Sequence, residues 1–421
     1  MTGWIPFLLA CGVATLAQGD APSPAAAGVT RPVGVDQAPS RPAANMGWVV
    51  QPSAVLTAAD DLNFQGLAPA LARSLRYYKR LPPQQTFTLG DQTYTAAELA
   101  ASVALFWDTI HRFRGAERQR LLQERFQVWE SRNPDGGAFF TGYYEPLIPA
   151  RLQPEGGYQA PVHGRPWDWA EQDGRIGRWQ GDQWQPYPTR REITAAGAQA
   201  LAGRAPVLAY VNPVDLFFLQ VQGSGVLQMP DGRRQRVGFA AHNGHPYVSI
   251  GRILVNRGLI LADQISLQAI RQYLAANPEQ VTDLFNENPR YVFFRRIQGG
   301  PYGALGVALT PGRSVAMDLT QVPRGSLAWM ETVQTDGTDS GRPLRRFVLI
   351  QDTGAAIQGH GRVDIFWGQG PMAEQQAGFQ RHPGRLFVIV ARRTALAGRP
   401  PLEDLARGLD PALLTGDTDA P

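Results

Sequence analysis

The sequence is almost without lysine: among 40 basic residues only Lys79 is not arginine. A phosphate-cradling G-x-x-x-x-G-K loop is therefore absent, and so is an S-x-x-K pair. Schiff-base chemistry would fall to Lys79, inside the helical run ARSLRYYKRL. Cysteine is equally scarce. Cys11 stands alone, which excludes an internal disulfide and a thiolate metal site. Histidine is sparse and scattered. His242 and His245 lie three apart with no acidic neighbour, and read as polar loop residues rather than a zinc site. The apolar run that opens the chain is too short to hold a bilayer span.

What is present is a globular composition. The chain has 421 residues, 43% of them apolar and 10% aromatic, which is enough for two domains. With 45 glycines and 34 prolines, short strands and turns are expected over long helical bundles. A net charge of +4 and a pI near 9.3 suit an anionic polymer without singling one out.

MTGWIPFLLACGVATLAQGDA, at the start, reads as a targeting segment over residues 1–19. Cys11 after a small residue resembles a lipoprotein cleavage box, and a plain secretory cut near LAQGDA is the alternative. Either reading exports the protein, to the periplasm or to a lipid anchor on the outer membrane. Residues 20–46 form a Pro/Ala linker.

TAAELAASVALFWDTIHRF opens with Thr95 and Glu98 in capping-box spacing, and Leu99, Val103, Phe106, Ile110 and Phe113 fall on one helical face. GAERQRLLQERFQVWES is expected to follow as a second helix. From about residue 137 strand-forming and turn-forming residues dominate, with one helix after Thr189. Helices return near SIGRILVNRGLI and SLQAIRQYLAANPEQVTDLFNEN, and short strands run from 290 to 393. This alternation predicts a main domain from 47–146 plus 241–395, an inserted β domain at 147–240, and a flexible tail at 396–421.

The stretch QDTGAAIQGHGRVDIFWGQG, residues 351–370, carries Asp352 and Asp364 in apolar and turn-forming surroundings. Three readings compete. The plainest is a Gly-rich turn between strands, capped by Asp352. An aspartic protease would need two D-[ST]-G loops on separate lobes. Here Asp352 and Asp339 begin such triplets only thirteen residues apart. The third reading is a general acid. Asp364 precedes Ile365, Phe366 and Trp367, and poor solvation there would raise its pKa and keep it protonated near neutrality. Asp352, in the glycine-rich loop, would be better solvated and ionised. Two unlike carboxyls beside an indole suggest glycosidic bond cleavage.

This stretch resembles the three-aspartate domain of the membrane-bound lytic murein transglycosylase A family, whose usual run is D-x-G-G-A-I-x-G followed by D-[IL]-[FY]-x-G. Asp318 in SVAMDLTQVPRGS matches the third aspartate. FTGYYEPLIPAR, NPVDLFFLQVQGSG, NGHPYVSIGRILVNRG and NPRYVFFR match in order. Ala355 stands where the family often has glycine, and Gln358 where lysine is frequent.

The resemblance implies a mainly β fold with helices: a six-stranded double-psi β-barrel with a smaller inserted β domain and a groove between them. It implies cleavage of the β-1,4 bond between N-acetylmuramic acid and N-acetylglucosamine without water, leaving a 1,6-anhydro end. Asp364 would be the acid and base, with Asp352 and Asp318 in support. Thr141, Tyr143, Tyr144, Gln222, Gly223, Ser224 and Gly354 would line the groove, with Trp367 as a stacking platform. Phe217, Phe218, Phe293 and Phe294 read as core pairs in strands. VQGSG is not a hydrolase elbow, because Gln222 stands two before Ser224. The expected partner is a peptidoglycan glycan strand met by a monomer, with no nucleic acid, metal or cofactor. A two-carboxylate hydrolase and a non-catalytic murein binder remain as alternatives.

Overall fold

The computed structural model describes residues 47–57, 59–195, 201–334 and 341–415. Cys11, the targeting segment, the linker and Asp339 lie outside them. An outer layer comes first: β1 (Gly47–Gln51), α1 (Leu67–Lys79), the hairpin β2 (Thr86–Leu89) and β3 (Gln92–Thr95), α2 (Ala96–Arg112), α3 (Gly115–Arg125) and β4 (Phe126–Arg132). β5 (Ala138–Glu145) then leads into a middle segment. Its strands are β6 (Leu147–Pro149), β7 (Ala160–His163), β8 (Ala170–Gln172), β9 (Arg175–Gln180) and β10 (Gln183–Pro186). It continues through α4 (Arg190–Ala195), β11 (Val207–Val211), α5 (Pro213–Gln222), β12 (Ser224–Gln228) and β13 (Arg234–His242). Helices α6 (Ile250–Asn256), α7 (Leu267–Ala276) and α8 (Val281–Asn286) precede β14 (Val292–Arg296). The last part holds β15 (Ser314–Ala316), β16 (Leu327–Gln334), β17 (Arg342–Asp352), β18 (Arg362–Gln369), α9 (Pro371–Phe379) and β19 (Arg381–Ala391). Three short helices follow: α10 (Arg393–Leu396), α11 (Leu402–Leu405) and α12 (Pro411–Thr415).

Strands β5, β18, β15, β17, β16 and β19 pair in that order, and β19 pairs back to β5. The six-stranded barrel therefore closes and leaves no free edge. The pairings β5–β18 and β15–β17 are parallel, while the others in the ring are antiparallel. Helix α2 covers the barrel with Leu99, Val103, Phe106 and Ile110, all buried as the periodicity predicts, while Phe113 caps the helix end and is half-buried. Each such buried side chain stabilises the fold by about 1.5–3 kcal/mol. Its capping box forms: the Glu98 amide donates to Thr95 Oγ1 at 3.1 Å and the Thr95 amide to Glu98 Oε2 at 2.8 Å. A fully buried pair, Arg313 to Asp60 at 2.6 Å, ties the stretch before α1 to the barrel.

Three expectations are corrected. FQVWES is not helix but β4, because Phe126, Val128 and Trp129 bury against the barrel while the strand pairs with β19 and β1. Phe217 and Phe218 are not in a strand. Asn212 caps Val214 at 2.9 Å, Pro213 starts the turn, and α5 carries both rings into the core. The tail is not loose over its described part, since Leu405, Ala406 and Leu409 are buried and Trp107 Nε1 donates to the Arg407 carbonyl at 3.0 Å.

The middle segment builds its own four-stranded sheet, in the order β14, β13, β12, β6. β14 lies beyond residue 240, yet it pairs with β13 from Arg296 to Val292. Val292 and Phe294 join Leu219, Leu227 and Val237 in a second, smaller core. Helices α6 to α8, although enclosed in sequence by that sheet, send Leu254, Ile270 and Leu284 into the main core. No helix among the described residues is long and apolar enough to cross a membrane.

Candidate active site

Strand β5 supplies one wall, and its alternation sorts the FTGYYEP motif into two faces. Thr141, Tyr143 and Glu145 point one way, Gly142 and Tyr144 the other. Thr141 is the register partner of Asp364 on β18, and its hydroxyl donates to Asp364 Oδ1 at 2.7 Å. The Tyr143 hydroxyl donates to Asp352 Oδ2 at 2.7 Å. One short strand thus serves both aspartates.

Asp364 is 1% exposed. Burial pushes its carboxyl up to about 6, while the Arg362 guanidinium and the Thr141 hydroxyl pull it down and Asp352 pushes it up. This is the desolvated acid that the sequence suggests. Arg362 is the neighbour that sequence reading missed. It stands two before Asp364 on the same strand face, and that spacing was the available signal. Its guanidinium donates to the carbonyls of Val363 at 3.1 Å and Phe139 at 3.5 Å.

Asp352 is buried too, but at 6% exposed it is less so than Asp364, in the direction expected. Protein donors take the place of water: the amides of Ala304 and Thr353 each reach Oδ1 at 2.9 Å, beside the Tyr143 hydroxyl. Asp352 also lines an open cavity, with Tyr143, Gln222, Gly223, Ser224 and Thr353. Phe239 and Arg295 from the smaller sheet and Tyr302 from the crossover after it complete the far wall. Arg295 closes the NPRYVFFR motif, whereas Phe239 and Tyr302 belong to none of the matched stretches. The cavity therefore sits between barrel and inserted sheet. Asp364 lies beside this cavity rather than in its lining, one strand away from Asp352.

Asp318 does not join the other two. Its carboxylate accepts from the Thr320 hydroxyl at 2.6 Å, the Thr320 amide at 3.0 Å and the Gly359 amide at 2.8 Å. It pins the loop between β17 and β18, where Gly354 is buried and accepts from the Ile357 amide.

Four groove candidates do not line the cavity: Thr141 serves Asp364, Gly354 is buried in its loop, and Tyr144 and Trp367 face elsewhere. Tyr144 is buried in the main core; only its amide serves the cavity, donating to Gln222 Oε1 at 3.3 Å. Trp367 is 8% exposed and is no platform. It stands three residues after Asp364, so alternation turns it to the opposite side of β18. There it fills the space over Gly142, where a Cβ would lie 2.6 Å from the indole nitrogen and 2.8 Å from Ala377 Cα of α9. Phe217, Phe218, Phe293 and Phe294 are all buried.

A family model described as the MltA specific insert domain matches residues 139–295, and one described as the 3D domain matches residues 313–390. The first range ends within β14, the strand that completes the smaller sheet. Over 283 residues the chain is 34% identical to membrane-bound lytic murein transglycosylase A of Escherichia coli K12, covering 65% of this chain and 72% of that protein. The protein of the same name from Vibrio cholerae is 36% identical over 260 residues, 60% of this chain and 66% of its own length. Among solved structures, the membrane-bound lytic murein transglycosylase of Agrobacterium tumefaciens superposes with a TM-score of 0.68 at 30% identity, over 80% of this chain and 94% of that one. The E. coli enzyme with bound chitohexaose gives 0.61 at 28% identity, over 77% and 90%. The chain is an enzyme of the membrane-bound lytic murein transglycosylase A family.

Proposed function

We propose that this protein cleaves the β-1,4 bond between N-acetylmuramic acid and N-acetylglucosamine in peptidoglycan, with Asp364 as the single acid and base. The supporting observation is a carboxyl that burial holds near pKa 6, steadied by the Thr141 hydroxyl and facing the Arg362 charge. Its O–H gives its proton to the glycosidic oxygen as the C1–O bond breaks. The C6 hydroxyl of the same muramyl ring attacks C1, and the Asp364 carboxylate takes the C6 proton. A 1,6-anhydro ring results, no water is consumed, and Asp364 ends as it began. Because the nucleophile is intramolecular, no second carboxylate is needed to activate it.

The glycan would lie in the cavity bounded by Tyr143, Gln222, Gly223 and Ser224, and reaching Asp364 requires the groove to widen past Tyr143 and Asp352. The bound chitohexaose of the E. coli relative supports a glycan as the ligand. Asp352 would orient Tyr143 and carry negative charge toward the sugar, and Asp318 would hold the loop. Export, lipidation at Cys11 and a monomeric state belong to the same proposal.

A two-carboxylate hydrolase is the second reading, favoured by the fact that Asp352 and not Asp364 lines the cavity. Digestion of purified sacculi followed by mass spectrometry separates the two. Anhydromuramyl ends support the transglycosylase, and reducing ends formed with water support the hydrolase. Asp364→Asn is expected to abolish turnover and keep glycan binding. Turnover by a folded Asp364→Asn protein would remove Asp364 from the mechanism.

A further inference from the structure

Glu145 is fully buried at the end of β5, on the face that carries Thr141 and Tyr143. Among the described residues its one ion pair comes from the inserted sheet: Arg236 Nε of β13 donates to Glu145 Oε1 at 2.8 Å. Glu145 Oε2 is buried with no hydrogen-bond partner among the described residues. Arg236 uses its second arm elsewhere, donating through Nη1 to the Gly299 carbonyl at 2.8 Å.

Gly299 begins the crossover that returns the chain from the inserted sheet to the barrel. Five residues later the Ala304 amide donates to Asp352 Oδ1, and Tyr302, Gly303 and Ala304 line the cavity. The crossover is pressed against β17. A Cβ on Gly303 would lie 2.4 Å from the Gln351 carbonyl oxygen. One guanidinium therefore touches the barrel, the inserted sheet and the segment that roofs Asp352.

We propose that Glu145 and Arg236 are positioning residues that hold the 299–304 crossover over Asp352 and set the width of the groove between the two sheets. The planar guanidinium presents separate donors to both acceptors from one position. A lysine at 236 could keep the Glu145 pair but not the Gly299 carbonyl as well. The effect on turnover rests on the reading of the site given above; the effect on the crossover does not.

The test compares wild type with Arg236→Lys, Glu145→Gln and the double variant. Hydrogen exchange of peptides spanning 297–306, kcat and KM on purified glycan strands, and thermal unfolding are measured for each. In Arg236→Lys the 297–306 peptides should exchange faster while the β16–β19 strands keep their protection. Its kcat should fall about tenfold with KM within about twofold, as a misplaced site does. The double variant should be within about twofold of the worse single one, since both residues act through one contact. Unchanged exchange at 297–306 in Arg236→Lys would overturn the proposal, and so would a rate loss that only tracks the unfolding temperature. If Asp364→Asn keeps turnover, the catalytic reading fails, yet the exchange result still decides the role of Arg236.

Discussion

Asp352 and Asp364 are both register partners of Ala316, one on each side, so a single short strand separates the two carboxylates. Two strand spacings put their backbones about 10 Å apart. Ala316 is fully buried with Tyr143, Leu309 and Phe366. Ala316→Val should therefore lower stability by about 1–3 kcal/mol through overpacking. It should also reduce turnover by wedging the acids apart. Thermal unfolding and kcat/KM measure both effects, and a neutral outcome in each would show that the spacing does not matter.

Activity should follow the titration of Asp364. With its carboxyl pushed up to about 6, the protonated acid is depleted above that pH, and kcat/KM should drop about tenfold per unit. Arg362 and the Thr141 hydroxyl both favour the charged form. Arg362→Gln and Thr141→Val should each move this limb to higher pH, with lower maximal rates. A pH–rate profile from 4 to 8 that stays in place in both variants would exclude Asp364 as the titrating acid.

The same burial weakens the fold. The folded pKa lies above that of a solvated aspartate, so the favourable contribution exists below about pH 4 and disappears as pH rises through 6. With its carboxyl raised to about 6, ionised Asp364 is destabilising by about 3 kcal/mol at pH 7–8. Asp364→Asn, which keeps an acceptor for Thr141, should be the more stable protein at pH 8, with the gap closing toward pH 4. Denaturant unfolding at both pH values checks the sign.

Tyr143→Phe removes the hydroxyl that serves Asp352 Oδ2. A buried carboxylate that loses a donor is destabilised by about 1–3 kcal/mol. The expected result is a loss in kcat/KM of about tenfold or more, with the barrel intact by circular dichroism. Wild-type rates would mean that the other donors to Asp352 suffice.

Trp367→Phe should act on stability and leave KM unchanged, because the indole packs on Gly142 and α9 instead of sugar. A raised KM without destabilisation would restore the platform role.

Much of this molecule was legible in its residues. The α2 capping box and apolar stripe lie within one helix, where neighbours are three and four positions apart and the pattern is its own evidence. The aspartates and the FTGYYEP motif were equally visible. The misreadings share a cause. FQVWES suits either a helix end or a strand, and only pairing with β19 and β1 decided between them. Phe217 and Phe218 look like strand residues until the Asn212-Pro213 cap starts a helix. Trp367 reads as a companion of Asp364 when adjacency is judged along the chain, but an odd spacing in a strand puts two side chains on opposite faces.

The sequence by itself determined which groups could do the chemistry: a chain with one lysine, one cysteine and an aspartate set in apolar strand residues has carboxyls to work with and little else. Tertiary structure decided which carboxyl is desolvated, which lines the cavity and which merely pins a loop. Thr141 and Asp364 are separated by 223 positions, and Tyr143 and Asp352 by 209. Local pattern carries no information over such distances. Closure of the barrel brings these side chains together, and with them the burial that raises the pKa of Asp364.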